Sequence, residues 1–228
     1  MRTERAIVSG LEYSTSVEDY LKVIHELSGA SGEAVSAEVA SKLKIARASV
    51  SMMVRRLAHR GLIVHTRTRR LRLTKKGRAA ALRLVRRHRV LEAYLVTALG
   101  YPWDRVHQEA ERLEHSASDE LIDRMATLIG EPTVDPHGAP IPTAGGKVAA
   151  AATRVLNDLT IGEEARVAGV EDEDAEFLRY LTSLRLLPGT TVRLVGREPF
   201  GGSLRIRVAS RTRRVGPSAA ARVFVTSR

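Results

Sequence analysis

The chain has 228 residues, 43% hydrophobic and 28% charged, a formal net charge of +11 and no cysteine. That composition suits one large or two to three small folded domains and excludes a disordered chain. The missing thiols exclude a disulfide framework, a thiolate zinc finger, an iron–sulfur cluster and a cysteine nucleophile. No apolar run approaches the roughly 18 residues of a membrane span. Met1–Gly10 carries charges but no apolar stretch of signal-peptide length, so the expected compartment is the cytoplasm.

Charge is unevenly spread. Residues 1–84 hold 17 Lys and Arg against 7 Asp and Glu, residues 85–143 hold 6 against 10, and residues 144–228 hold 14 against 9. A basic block followed by an acidic one reads as a polyanion-binding module joined to something that handles cations. The bland alternative is an arginine-rich solvated surface.

In chain order, Val17, Tyr20, Leu21, Ile24 and Leu27 form one apolar stripe, predicting a helix over 16–28. Ser36 is placed to N-cap a short helix through Leu43, and Val50, Val54 and Leu57 predict a third helix that Gly61 ends. Residues 62–66 and 71–74 read as two short strands around the tip Arg67-Thr68-Arg69-Arg70. Two short helices, a tight turn and a basic hairpin make a winged helix-turn-helix. A long helix is expected over 75–99, broken at Gly100-Tyr101-Pro102, then one from an Asp104 N-cap to His115 and another from Ser116 or Ser118 to Ile129. Residues 132–147, rich in Pro and Gly, read as a linker by composition. Strand-like runs at 166–170, 191–195, 204–208 and 222–225, with a helix over 173–184, predict a small β-barrel or half-open sheet.

On the third helix Arg47, Ala48, Ser51, Met52 and Arg55 face away from the apolar stripe. Arg47 and Ala48 are then available to base edges, and Ser49 and Ser51 to phosphates. Arg67, Arg69 and Arg70 in the wing suit a phosphate backbone or a minor groove. An exposed helix that binds protein is the competing reading; wing, turn and charge together favour DNA.

The acidic block carries a constellation that core packing does not require. His88 and Glu92 are spaced i, i+4, and His107, Glu111, Glu114 and His115 share one face of the expected helix. Carboxylates one turn apart repel unless a cation lies between them. The set reads as a metal site, against the alternative of a solvated Glu/His face. A metal-dependent hydrolase is the enzymatic version, but no zinc-protease motif, separate general base or nucleophile motif accompanies it. The chain is not expected to be an enzyme.

The stretches Thr15-Ser16-Val17-Glu18-Asp19-Tyr20-Leu21, His88-Arg89-Val90-Leu91-Glu92, residues 106–115 and Asp135-Pro136-His137-Gly138-Ala139-Pro140-Ile141-Pro142 resemble the diphtheria toxin repressor family of metal-dependent regulators. The resemblance covers essentially the whole chain. It implies a mainly α fold with a C-terminal β-barrel: a winged helix-turn-helix over 1–74, a helical dimerisation and metal domain over 75–143, a linker over 144–149 and an SH3-like, FeoA-like domain over 150–228. It implies metal-loaded homodimers on palindromic double-stranded operators, control of metal homeostasis, and no membrane or small organic partner.

By the same resemblance the primary site maps onto Asp19, Glu111, Glu114 and His115. An ancillary site maps onto His88, Glu92 and His107 with Glu173 and Glu176 from the third domain, or Asp174 in the alternative register, giving two ions per subunit. Iron-responsive members carry Met and Cys where this chain has Asp19 and Glu111. An oxygen-rich set with one imidazole suits Mn²⁺ better than softer ions, so Mn²⁺ is the expected activator and Fe²⁺ the alternative. Some manganese regulators place a further carboxylate where this chain has Lys22, which does not ligate while protonated. Leu91, Tyr94, Leu95, Leu121, Ile122, Met125 and Leu128 are candidates for a dimer core or for the domain's own core.

Overall fold

The computed structural model describes residues 13–68, 70–171 and 174–227. They fall into two compact units. The first runs to His88 and takes in Arg112–Arg124 and Pro142–Lys147; the second comprises Arg89–Glu111, Met125–Ile141 and the chain from Val148 onward.

The first unit opens with α1 (Thr15–Ser28), α2 (Ser36–Lys42) and α3 (Arg47–His59), followed by β1 (Ile63–His65), β2 (Leu71–Leu73) and the start of α4 (Lys75–Leu99). The predicted stripe of α1 is the one that buries: Val17, Leu21 and Ile24 meet Val50, Val54 and Leu57 of α3 and Leu62, Ile63 and Leu71 of the hairpin in one core. One detail differs from expectation. Val35, not Ser36, is the N-cap of α2. Ala34 exchanges both backbone hydrogen bonds with Leu71 at 2.8 Å, so residues beside it stay extended and helical geometry begins only at Ser36. The end of α3 follows prediction. Gly61 takes φ +67°, Leu62 N donates to Leu57 O and Gly61 N to Ala58 O, a Schellman closure that a residue with Cβ would strain.

The acidic helices shorten. α5 spans Val106–Leu113 and α6 spans Asp119–Leu128. Arg105 and Val106 donate to the Pro102 carbonyl, while the Asp104 carboxylate turns to Arg179 at 3.4 Å, so Asp104 does not cap α5. Ser116 and Ala117 both donate to Leu113 O, which turns the chain and puts Glu114 and His115 beyond the helix. Ser118 Oγ then accepts from Leu121 N and caps α6. Of the candidate dimer-core side chains, Leu91, Leu95 and Ile122 are buried, whereas Leu121 and Leu128 of α6 are 44% and 73% exposed.

In the second unit β3 (Glu164–Val170), β4 (Thr191–Arg197), β5 (Leu204–Val208), β6 (Arg211–Val215) and β7 (Val223–Ser227) form one antiparallel sheet in the order β6-β5-β4-β3-β7. Two more helices accompany it, α7 (Ala175–Leu184) and the short α8 (Pro217–Ala220). Of the two expected forms, a small barrel or a half-open sheet, the structure has the open one: β6 and β7 do not pair with each other among the described residues. Phe177, Leu178 and Leu181 of α7 bury the sheet's apolar residues, so the core is covered without closure. The strand β6 was not predicted, because Arg-Thr-Arg-Arg-Val has no apolar alternation. As an edge strand it needs only the hydrogen bonds of β5, reached through the tight turn at Ala209 and Ser210. The α7 helix starts at Ala175 behind an Asp174 cap, whose carboxylate accepts from Glu176 N and Phe177 N.

The segment read as a linker is partly core. The isolated bridge Val134–Pro140 closes a turn in which Asp135 Oδ1 accepts from His137 N and Ala139 N, both at 2.9 Å. Gly138 (φ +90°) lies so close to β3 that a Cβ would meet Ala168 O at 2.0 Å. Glycine and proline here make a close approach rather than a flexible tether. Residues 144–149 do lie outside any helix or strand.

A buried glycine also fixes the start of α4. A Cβ on Gly77 would fall 1.9 Å from Leu62 O, a backbone atom that cannot swing aside. Gly77→Ala is expected to destabilise the first unit by about 1–3 kcal/mol, read as a lower denaturation midpoint in urea with an unchanged m-value.

Candidate metal centres and nucleic-acid surface

Glu114 and His115, in the turn after α5, meet α1. His115 Nε2 lies 2.9 Å from Asp19 Oδ1 and 3.7 Å from Glu114 Oε1, and Asp19, Glu114 and His115 offer ligand atoms all within 4.8 Å of one another. On the far side of the ring, His115 Nδ1 bonds Glu18 Oε2 at 2.7 Å. Glu18 is backed by Arg87 Nη1 at 3.7 Å, and Arg87 Nε donates to Asp119 at 2.9 Å. This is the arrangement by which an outer carboxylate fixes the orientation of a ligating imidazole. Two hard oxygen donors and one imidazole fit a divalent ion such as Mn²⁺.

Glu114 is only 1% exposed and has a second set of partners. Lys22 Nζ donates to both of its oxygens at 2.9 Å, and His88 Nδ1 lies 2.5 Å from Oε2 and 3.2 Å from Lys22 Nζ. Lys22 and His88 are themselves buried, at 8% and 4% exposure.

A different cluster occupies the second unit. Glu92, Asp135 and His137 are all buried and bring ligand atoms within 4.8 Å of one another. His137 Nε2 lies 2.8 Å from the Trp103 carbonyl, which only accepts, so Nε2 carries the proton and Nδ1 is directed to the carboxylates, 3.8 Å from Glu92 Oε2. The Trp103 ring stacks on the same imidazole at 5.5 Å. His107 Nδ1 contacts Glu92 Oε1 at 3.2 Å, and Arg89 Nε stands 3.6 Å from Asp135 Oδ2. Burial, then the neighbouring charge of Glu92, pushes Asp135 up to about 6. Two buried carboxylates and a correctly poised imidazole also fit a divalent cation.

The expected site residues thus distribute as follows. Asp19, Glu114, His115 and His88 belong to the first unit; Glu92, His107 and Glu111 belong to the second, where Glu111 lies 3.9 Å from His107 Nε2. Glu176 is exposed at the start of α7 and joins no group of metal-type ligands among the described residues, and Glu173 lies outside them. Sequence reading missed Glu18, Arg87, Asp135 and the ligand character of His137. The only signal for the last two was an acid and a histidine inside a Pro-Gly turn.

On α3, Arg47, Ala48, Ser49, Ser51, Met52 and Arg55 are all exposed, and Ser51 Oγ donates to Arg47 O. Arg67 and Arg70 of the wing are exposed as well; Arg69 lies outside the described residues. Thr66 N donates to Arg70 O at 2.9 Å, which closes the wing tip.

A winged helix-turn-helix joined to carboxylate–imidazole clusters defines the class of winged-helix metalloregulators. Residues 12–71 match the model of an iron dependent repressor N-terminal DNA binding domain, residues 74–143 that of an iron dependent repressor metal binding and dimerisation domain, and residues 154–227 that of a FeoA domain. The diphtheria toxin repressor of Corynebacterium efficiens is 31% identical over 194 residues, covering 80% of this chain and 84% of that protein. The iron-dependent repressor of Mycobacterium tuberculosis is 37% identical over 131 residues, 58% of this chain, and the match spans 57% of that relative's length. Among solved structures, one described as a manganese-dependent transcriptional repressor in complex with manganese is 38% identical, with a TM-score of 0.85 over 92% of this chain and 99% of that one. The chain belongs to the diphtheria toxin repressor family of metal-dependent repressors.

The two clusters respond oppositely to pH. Hydrogen bonds to Asp19 and then Glu18 hold the His115 imidazolium charged, raising it to about 10. Its folded value lies above the unfolded one near 6.5, so its stabilisation is complete below about pH 6.5 and is lost as pH rises toward 10. In chelator, the melting temperature of the wild type should fall over that window more than that of His115→Gln. A metal ligand must be deprotonated, so calorimetry in buffers of different ionisation enthalpy should also register proton release on metal binding.

Asp135 behaves the other way: its folded value is raised, so ionising it at neutral pH costs stability. Asp135→Asn keeps an acceptor for the two backbone N–H groups and removes the charge. In chelator at pH 7.5 this variant should melt ~2–4 °C higher than wild type, and with Mn²⁺ it should lose the second-unit contribution to metal stabilisation.

Proposed function

We propose that the protein is a manganese-activated transcriptional repressor that binds two-fold symmetric operator DNA as a homodimer and controls metal-ion homeostasis in the cytoplasm. The observation that carries this reading is the hard donor set Asp19, Glu114 and His115, which links the first helix of the winged helix-turn-helix to the turn after α5. When bound, the divalent ion supplies the positive charge that lets Asp19 and Glu114 approach. Asp19 then holds α1 against the Arg112–Arg124 segment, and His115, oriented by Glu18, completes the contact. With α1 held, the recognition helix α3, which shares its core, presents Arg47, Ala48 and Met52 at a fixed angle, while Ser49, Ser51, Arg55 and the wing arginines Arg67, Arg69 and Arg70 meet phosphates. By linkage, DNA tightens metal binding by the same factor.

The proposed organisation is a DNA-binding domain over 1–74, a dimerisation and metal domain over 75–143, a linker over 144–149 and a FeoA-like domain over 150–228. Leu121 and Leu128, exposed and seven residues apart on α6, suit a dimer contact. Glu92, Asp135 and His137 are the proposed ligands of a second ion, with His107 hydrogen-bonded to Glu92. Iron is the alternative activator, since relatives matched over part of the chain are named iron-dependent repressors; the oxygen-rich ligand sets favour manganese. The relatives are repressors rather than enzymes, and the hydrolase alternative finds no support among them.

The test is selection of bound sequences from random DNA in Mn²⁺, in Fe²⁺ under anaerobic conditions, and in chelator. A palindromic site should emerge in Mn²⁺, fail to emerge in chelator, and bind at lower free Mn²⁺ than Fe²⁺. Glu114→Ala should abolish the metal requirement's effect by leaving DNA binding weak in every condition. Arg47→Ala should reduce discrimination between the selected site and random DNA by about 1–3 kcal/mol. Equal binding with and without metal would refute the reading, and a lower requirement for Fe²⁺ would replace manganese by iron.

A further inference from the structure

Lys22 does not fit a site built only to hold cations. It stands one turn after Glu18 and Asp19 on α1, is 8% exposed, and directs its ammonium at both oxygens of Glu114, 2.9 Å each, with His88 Nδ1 at 3.2 Å. An ammonium has three N–H groups; it donates to both Glu114 oxygens, with the His88 ring nitrogen beside it. Glu114 is at the same time one of three donors in the Asp19, Glu114 and His115 group. One buried carboxylate therefore serves two cations, a tethered one and a diffusible one.

We propose that Lys22 is a built-in competitor for the metal: its ammonium holds Glu114 until a divalent ion displaces it, and this sets the metal concentration at which the site fills. The proposal rests on the ligand assignment made above and adds a residue that raises the threshold rather than the affinity. The reason is electrostatic. A +1 charge at hydrogen-bond distance from Glu114 cancels much of the field that attracts an ion to Asp19 and Glu114, and like charges so close repel strongly inside a protein. It also screens against monovalent ions, which offer Glu114 no more charge than the ammonium already does. A lysine in this position further keeps Glu114 paired whenever the ion is away, so that its burial carries no uncompensated charge.

Removing the ammonium should therefore have two effects of opposite sign. Lys22→Met should bind Mn²⁺ at least tenfold more tightly than wild type by isothermal titration, and in chelator it should melt at a lower temperature. A lysine that only supports the fold would give the lower melting temperature with equal or weaker Mn²⁺ binding, and that result overturns the proposal. A second arm uses the wild type, in case the variant does not fold. Brief acetylation followed by mass spectrometry should show Lys22 labelling rise severalfold when Mn²⁺ is added, with exposed Lys75 and Lys76 unchanged as references. Labelling that stays constant or falls overturns displacement. Asp19→Ala separates the two levels. If it leaves Mn²⁺ affinity intact, the ligand assignment fails and the role of Lys22 falls with it; if it abolishes binding while Lys22→Met changes nothing, only the competitor is refuted.

Discussion

The buried carboxylate of Glu114 is the constraint around which the first unit is arranged. Taking a charged carboxylate out of water costs several kcal/mol unless its charge and lone pairs are met. Three neighbours of Glu114 answer that demand: the Lys22 ammonium and His88 on one side, His115 on the other. Three of the side chains involved, Glu18, Asp19 and Lys22, come from two successive turns of α1. The helix that opens the DNA-binding module is thereby tied, through charge, to the turn that ends α5. Its apolar face is committed to α3 and the wing. One helix thus carries an ionic face and, opposite it, the apolar face that packs on α3.

The second unit meets a similar demand by other means. Glu92 and Asp135 are buried together, and Asp135 answers by resisting ionisation, with Arg89 at 3.6 Å as partial compensation. The turn from Asp135 to Pro140 is held rigid by its own backbone bonds and by the close seat of Gly138 on β3. The Trp103 carbonyl chooses the tautomer of His137. On the reading proposed above, this cluster holds its ring and carboxylates ready for a cation, whereas the first cluster exchanges the Lys22 ammonium for one, so similar donor types would fill at different metal concentrations for physical rather than compositional reasons.

Local signals in the chain were sufficient for the helices. The apolar stripe of α1, the Gly61 closure of α3, the bounds of α4 and the exposure of Arg47, Ala48, Met52 and Arg55 all follow from periodicity and capping chemistry, which act over a few residues. The grouping of Glu114 and His115 with an acid of the first helix was legible too, and the structure brings Asp19, Glu114 and His115 together. Less legible was the end of α5 at Leu113. Regular periodicity continued through His115, but the Leu113 carbonyl is claimed by Ser116 and Ala117, and this moves Glu114 and His115 off the helix.

What the amino-acid sequence determined by itself was the kind of chemistry: a basic winged helix, carboxylates and imidazoles without sulfur, and a small β domain at the end. What only the tertiary structure decided was the partnership of each ligand. Lys22 appeared as a mere departure until the fold set it against Glu114, and Asp135 and His137 belonged to an apparent linker until that segment packed on β3. The open rather than closed sheet was decided in the same way, by α7 covering the core. The reason is common to all three. Periodicity and capping are local, whereas the pairing of a buried charge depends on which distant segment arrives beside it, and 92 residues separate Lys22 from Glu114.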